Sequence, residues 1–391
     1  MTEKNNSVRW KLAAVMPAFF AMGFVDLVGI ATNYVKQSFA LSDSAANLLP
    51  SMVFFWFLVG AVPTGVLMNK IGRRKTVLIS LGVTFAGLIL PTVAYTLPVM
   101  TAAFCLLGIG NTIMQVSLNP LISTMVSPAK LSGALTFGQF VKAIASFVAP
   151  ILAAFGAARF GSWLFLFPVF AAEALLAFLL LWKDAVTEDE MTGKASGFAD
   201  CFALLKDPVV LLCFVGIVCH VGIDVGTNVS APKILIEKAG LTLETAGFAA
   251  SVYFLFRTIG CFTGSFALAK TGNRPFFVAG VLMIAAGCAL LFFGTQKTAL
   301  TAGVALIGFG NSNVFPIVFA QALLHLPAKK NEVSGLMIMG LVGGTLFPPV
   351  MGLASDFAQT QNAAIPVMAA GALYLLFLSP MIRTKTGEKT D

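Results

Sequence analysis

Residues 108–111 read Gly-Ile-Gly-Asn, and residues 308–311 read Gly-Phe-Gly-Asn. Around this pair the echo continues at nearly one offset. Gly60, Lys70, Gly72 and Arg74 return as Gly260, Lys270, Gly272 and Arg274, and Ser132-Gly133 returns as Ser334-Gly335 after a small slip. One match between Gly-rich apolar segments arises by chance, but several in one register do not. The chain therefore carries two copies of one unit, each in apolar sequence.

Composition states what the units are made of. Hydrophobic residues form 58% of the 391 and charged residues 11%, with mean hydropathy +0.90. A soluble domain is about half apolar and about a quarter charged. Spans of membrane-crossing length can be laid at 12–35, 46–68, 75–95, 99–125, 131–157, 162–182, 209–235, 244–268, 275–294, 299–324, 333–356 and 363–382. The expected fold is all-α and integral to the membrane, twelve transmembrane helices in two pseudo-symmetric six-helix bundles, 1–182 and 209–391. Parallel repeats of this kind are one plan for membrane transporters. The linker 183–208 holds the acidic run Glu188-Asp189-Glu190, and puts Phe198, Phe202 and Leu205 on one helical face, as in a short helix on the membrane surface.

The 25 Lys and Arg sort by loop. Eighteen fall in both tails and every second loop, five (Lys36, Arg159, Lys233, Lys238, Lys297) in the opposite loops, and two, Lys142 and Arg257, inside spans. This asymmetry places both termini in the cytoplasm of a multi-pass cell-membrane protein. The basic excess is therefore not a nucleic-acid footprint. The first span is too long for a signal peptide and lacks a clear cleavage site, so it is read as retained. The six Cys lie in spans or in the cytoplasmic linker, which implies packing residues rather than a disulfide framework.

A charge inside a bilayer is costly and marks a candidate functional site. Asp26, Lys142, Glu173, Asp224 and Arg257 qualify, and His220 lies four residues before Asp224 on the same face. Asp26 and Asp224 hold comparable places in the two copies. Burial raises a carboxylate's pKa and fits Asp26 to carry a proton. Equally, Asp26 is a structural partner for Lys142. Asp224 with Arg257 or His220 is a second charge set. Two ligands, His220 and Asp224, do not make a metal site, and no metal or cofactor is expected.

Uncharged polar residues line up too. Asn111, Gln115 and Asn119 share one helical face, Gln139 lies three residues before Lys142, and Asn228 follows Asp224 by one turn. Asn311, Asn313 and Gln321 belong to the tenth span. Amides supply donors and acceptors for hydroxyl-rich ligands; they also hydrogen-bond helices to one another. As a converging set they point to a polar cavity. Asn119-Pro120, Phe315-Pro316, Gly343-Gly344 and Pro348-Pro349 add helix breakers of the sort found where helices bend or line cavities.

The loop after the second span reads Gly65-Val-Leu-Met-Asn69-Lys70-Ile-Gly72-Arg73-Arg74-Lys75. It resembles the signature of the major facilitator superfamily: Gly, three residues, Asp, a basic residue, any residue, Gly and two basics. Asn69 stands where the family has Asp. Within that superfamily the whole chain resembles the fucose–proton symporters, through TIMQVSLNPLIS (112–123), LTFGQFVKAIAS (135–146), HVGIDVGTN (220–228) and, most specifically, LVGGTLFPPVMGLASD (341–356). The resemblance implies import of a monosaccharide or sugar derivative by alternating access, coupled to protons, with sodium as the alternative ion; one chain carries both halves, so it is expected to work as a monomer. It assigns conformational switching to Gly65, Asn69, Gly72, Arg73 and Arg74. The family's span-four Glu falls on Gln115, its span-five Asn on Lys142 and its span-seven Gln or Glu on Asp224, while its span-one Asp falls near Gly29, one turn after Asp26. Substrate contacts are thus expected from Gln115, Asn119, Gln139, Lys142, Asn228, Asn311, Asn313 and Gln321, and proton coupling from Asp26 and Asp224. A carrier of sugar acids anchored by Lys142 and Arg257 is the first rival. A uniporter, an apolar multidrug exporter and a sensor that binds without transport are others. Nothing supports an enzyme.

Overall fold

The structure is a computed structural model and describes residues 2–41, 43–183, 197–241 and 243–383. Among these every regular element is helical. Eleven helices are long and apolar enough to cross a membrane: α2 (Met52–Ile71), α3 (Arg73–Val93), α4 (Leu97–Met125), α5 (Pro128–Phe160), α6 (Trp163–Lys183), α7 (Pro208–Ala239), α8 (Phe248–Leu268), α9 (Asn273–Phe293), α10 (Lys297–His325), α11 (Pro327–Ala358) and α12 (Gln361–Met381). A shorter apolar helix, α1 (Leu12–Asp26), precedes them. The twelve segments read from hydropathy are thus all helical. The chain forms two compact units, the first Met1–Ser127, Gly138–Phe202 and Lys329–Met339, the second Pro128–Phe137, Ala203–Ala328 and Gly340–Asp391.

The repeated glycines are places where helices touch backbone to backbone. In the first unit a Cβ on Gly108 would lie 2.9 Å from the Val53 carbonyl of α2. In the second a Cβ on Gly308 would lie 2.5 Å from the Tyr253 carbonyl of α8. Gly87 meets the Ala103 carbonyl at 3.2 Å and Gly287 the Gly303 carbonyl at 2.6 Å. Gly60 packs on Thr112, and Gly260 on Ser312. Lipid offers apolar surface as readily as another helix does, so close packing of this kind is what holds membrane helices together.

The asparagines that end the two Gly-x-Gly-Asn motifs make one bond twice. Asn111 Nδ2 donates to the Met22 carbonyl of α1 at 2.6 Å. Asn311 Nδ2 donates to the His220 carbonyl of α7 at 3.2 Å. Met22 immediately precedes a 3₁₀ turn, Gly23–Asp26, after which the helix resumes as Leu27–Ser38.

Two prolines free carbonyls that other side chains then satisfy. Pro120 has no N–H to give Val116, four residues back, and the Ser334 hydroxyl donates to the Val116 carbonyl at 2.6 Å. Pro316 likewise releases the Ser312 carbonyl, which Cys261 Sγ approaches at 3.4 Å. Around Ser312-Asn313 the tenth span divides into Lys297–Asn311 and Val314–His325. In the eleventh a 3₁₀ turn, Gly340–Val342, separates Lys330–Met339 from Gly343–Ala358. Pro120, Pro348 and Pro349, by contrast, lie inside continuous helix.

Polar groups close the helix ends. Arg74 donates to the Leu181 and Trp182 carbonyls at the end of α6, and Lys238 to those of Leu291, Phe292 and Gly294 at the end of α9, each cation opposing the negative end of a helix dipole. Asp207 caps α7 by accepting from Val209 N and Val210 N and pairs with His325 Nε2 at 3.0 Å. Just before it, the expected linker helix is present as Phe198–Ala203, with Phe198 and Phe202 exposed and Cys201 buried. The acidic run Glu188–Glu190 lies outside the described residues.

Three outcomes follow for unfolding of the purified protein in detergent. Gly108→Val and Gly308→Val each destabilise by about 1–3 kcal/mol, because a backbone carbonyl cannot step aside. Gly82→Ala does not, since nothing lies within 4 Å of its Cβ position. Asp207→Ala costs about 1 kcal/mol as a lost cap. Burial alone would raise the Asp207 carboxyl, but the bonds from His325, Val210 and Val209 outweigh it and hold it below its usual range. Its contribution is therefore present above the ordinary carboxylate pKa and is lost as pH falls through the lower, folded-state value. The wild type and Asp207→Ala should converge in acid.

Candidate functional site

In the first unit α4 carries a polar ladder. Gln115 Nε2 donates to Asn111 Oδ1 at 2.7 Å, and Asn119 Nδ2 to the Gln115 carbonyl at 2.9 Å. All three are buried, and Asn119 Oδ1 has no hydrogen-bond partner. On α5, Gln139 Nε2 is likewise buried and unbonded, and Lys142 is half-buried one turn further on. The Lys142 carbonyl lies against Gly23, so α1 and α5 are in backbone contact here. Asp26 is exposed and accepts a hydrogen bond from Ser146 Oγ, not from Lys142, and among the described residues no ion pair joins Asp26 to Lys142. Ser146 lies one turn beyond Lys142, so the two helices meet as expected but one turn along. Glu173 on α6 is half-buried with Oε2 unbonded. Phe24 stacks on Phe170 inside the unit, with centroids 4.1 Å apart.

The second unit holds a continuous polar chain. Asp224 Oδ2 accepts from Arg257 Nη1 at 2.8 Å, with side chains 14% and 23% exposed. Tyr253, fully buried, faces both of them. Its hydroxyl accepts from Asn311 Nδ2 at 3.1 Å, and Asn311 Oδ1 lies 2.7 Å from His220 Nδ1. Asn228 Nδ2 donates to the Asp224 carbonyl at 2.9 Å. Asp224 Oδ1 and Asn228 Oδ1 are buried without partners. Asn313 donates to the Gly260 carbonyl and is pressed against Gly264, and Gln321 Oε1 accepts from the backbone of Arg383. Asn313 Nδ2 is thus engaged inside its unit, while its Oδ1 is buried without a partner. Among the described residues no group of three or more His, Cys, Asp or Glu could hold a metal.

The Gly65–Arg74 motif lies in the first unit. A Cβ on Gly65 would lie 2.8 Å from the Asn331 carbonyl. Asn69 Nδ2 donates to Glu332 Oε1 at 2.7 Å and Asn331 Nδ2 to Asn69 Oδ1 at 2.6 Å, while Arg73 Nε donates to Asn331 Oδ1 at 2.7 Å. Gly72 takes φ +89°, a conformation that disfavours side chains and lets α2 turn into α3. The carboxylate missing at 69 is thus supplied by Glu332. It stands in the first turn of its helix, where the dipole favours an anion. Sequence reasoning missed Glu332 and Ser146. The repeat pointed near the first, two residues before Ser334-Gly335, and helical spacing near the second.

The family model of the Major Facilitator Superfamily matches residues 14–348. A glucose/galactose transporter of Brucella abortus is 26% identical over 97% of this chain and 93% of its own length. The L-fucose-proton symporter of Escherichia coli is 22% identical over 87% and 86%. A crystal structure of the transporter FucP in the outward conformation superposes with a TM-score of 0.86 at 17% identity, covering 96% of this chain and 99% of that one.

The Asn69–Glu332 pairing makes a return to the family residue harmful. Asn69→Asp sets two carboxylates against each other and should destabilise the fold by about 1–3 kcal/mol, read by unfolding in detergent. Adding Glu332→Gln should recover most of the loss. An Asn69→Asp protein as stable as the wild type would contradict the pairing.

Proposed function

Because this chain belongs to the major facilitator superfamily, a family of transporters, we propose that it imports a neutral monosaccharide by alternating access, driven by protons. The observation that carries this reading is that four of the expected site residues hold buried acceptors without partners: Asn119 Oδ1 in the first unit, and Asp224 Oδ1, Asn228 Oδ1 and Asn313 Oδ1 in the second. A buried unsatisfied acceptor costs about 1–3 kcal/mol, and a ligand rich in O–H donors removes that cost. A carboxylate group only accepts, so it is the hydroxyls of a ligand that would meet these atoms. The unbonded Gln139 Nε2 offers a donor to a sugar oxygen. The names of the Brucella and Escherichia relatives support the same substrate class. Asp224 already neutralises Arg257, which weakens the reading of Lys142 and Arg257 as a clamp for an acid. Gln115 cannot titrate, so coupling falls to Asp26, an exposed carboxylate bonded to one hydroxyl, with Asp224 as the second acidic group. The protein works as a monomer in the cell membrane with both termini in the cytoplasm, in accord with the distribution of its basic residues.

Electrical recording from reconstituted vesicles tests this, with neutral sugars and sugar acids applied in parallel. A sustained inward positive current with D-glucose, D-galactose or L-fucose is expected, and should disappear in Asp26→Asn. Current with sugar acids alone would overturn the neutral-sugar reading and return the anchor to Lys142 and Arg257.

A further inference from the structure

The hydrogen bonds of the second unit fix the role of one buried hydroxyl, that of Tyr253. Asn311 Nδ2 donates to the His220 carbonyl at 3.2 Å and to Tyr253 Oη at 3.1 Å. A backbone carbonyl can only accept, so the Asn311 amide cannot be turned round, and Tyr253 Oη is the acceptor of the second bond. A phenol carries one hydrogen. With its oxygen accepting from Asn311, Tyr253 still has that hydrogen to give, and it gives it to the Asp224 carboxylate. The residue is held at both ends. Its side chain is fully buried, and its backbone lies so close to α10 that a Cβ on Gly308 would sit 2.5 Å from the Tyr253 carbonyl.

Asp224 therefore has two donors from α8, Tyr253 and Arg257. They differ in what they do. Arg257 neutralises the carboxylate at 2.8 Å, from the end of a long side chain that is 23% exposed. Tyr253 adds no charge. It adds a direction, because a ring packed on all sides keeps one rotamer. Even so, Asp224 Oδ1 is buried without a hydrogen-bond partner. A carboxylate oxygen left bare in a buried place is costly, and an O–H donor from a ligand removes that cost. We propose that Tyr253 is a positioning residue for the substrate: its hydroxyl holds the Asp224 carboxylate so that Oδ1 stays open to one hydroxyl of the sugar, and so sets which sugar hydroxyl the second unit selects. Being fully buried, Tyr253 acts through Asp224 and not on the sugar. Removing its hydroxyl leaves the Asp224–Arg257 pair and the local charge in place. Tyr253→Phe therefore separates the direction of the carboxylate from its charge.

This inference rests on the reading of a hydroxyl-rich substrate and deepens it. Uptake of D-galactose and of D-galactonate into vesicles, by wild type and Tyr253→Phe, tests it. With whichever compound the wild type carries, Tyr253→Phe should raise KM about tenfold and leave the maximal rate within about twofold. KM does not depend on how many carriers fold, whereas a damaged fold lowers the maximal rate. The monodeoxy analogues of that compound then locate the contact. For the analogue lacking the hydroxyl that meets Asp224 Oδ1, wild type and Tyr253→Phe should share one KM; for the others the gap should remain. An unchanged KM, or a gap of equal size with every analogue, overturns the proposal. Carriage of D-galactonate alone, with KM raised in Tyr253→Phe, removes the neutral-sugar reading and leaves this one standing. Carriage of D-galactose with KM indifferent to Tyr253→Phe removes this one alone. A wild type that carries neither compound removes both.

Discussion

No water reaches the apolar depth of a bilayer, so each break in a helix must be met by a donor from another part of the chain. This constraint organises the molecule. Asn111 answers Met22, Ser334 answers Val116, and Cys261 answers Ser312. An interhelical hydrogen bond in a membrane is worth about 0.6 kcal/mol on average, which is small. The alternative, a carbonyl left bare in hydrocarbon, costs several times more. The breaks are thus affordable only where the partner is held in register, and the glycines on α4 and α10 hold it there.

The two copies obey the constraint differently. Ser334 has its carbonyl because Pro120 freed it. Its counterpart Ser132 is buried with an unbonded hydroxyl, and the proline in the tenth span stands at 316, releasing a carbonyl that Cys261 takes instead. The charged groups diverge as well. The first unit presents an exposed Asp26 bonded to a hydroxyl, whereas the second draws Asp224, Arg257, Tyr253, Asn311 and His220 into one connected set. A duplicated framework therefore carries two unlike polar interiors.

Much of this was legible in the sequence, for a physical reason. A glycine at a backbone contact tolerates no replacement, so Gly108 and Gly308 keep their identity across the repeat. Helical spacing put Gln115 and Asn119, and Asp224 and Asn228, on common faces, and a hydrogen bond joins each pair. What spacing cannot supply is register between helices far apart in the chain. Charge alone leaves open whether Asp26 meets Lys142, and in the structure Ser146, one turn on, reaches it. Asn69 looked like a lost carboxylate until its partner, Glu332, was found 263 residues away. Nor does residue type show which local bonds Asn313 and Gln321 make, the first to the Gly260 carbonyl and the second to the Arg383 backbone.

The first unit also has a consequence for biosynthesis. It is completed by Lys329–Met339, which supplies the surface for Gly65, the acceptor for Asn69 and the donor for Val116. When the ribosome has finished the first six spans, those three positions have nothing to bind. The opening half must wait in the membrane, partly unsatisfied, until more than a hundred further residues have been made. A protein whose sequence looks like two self-sufficient repeats is, in the order of its assembly, a single non-local fold.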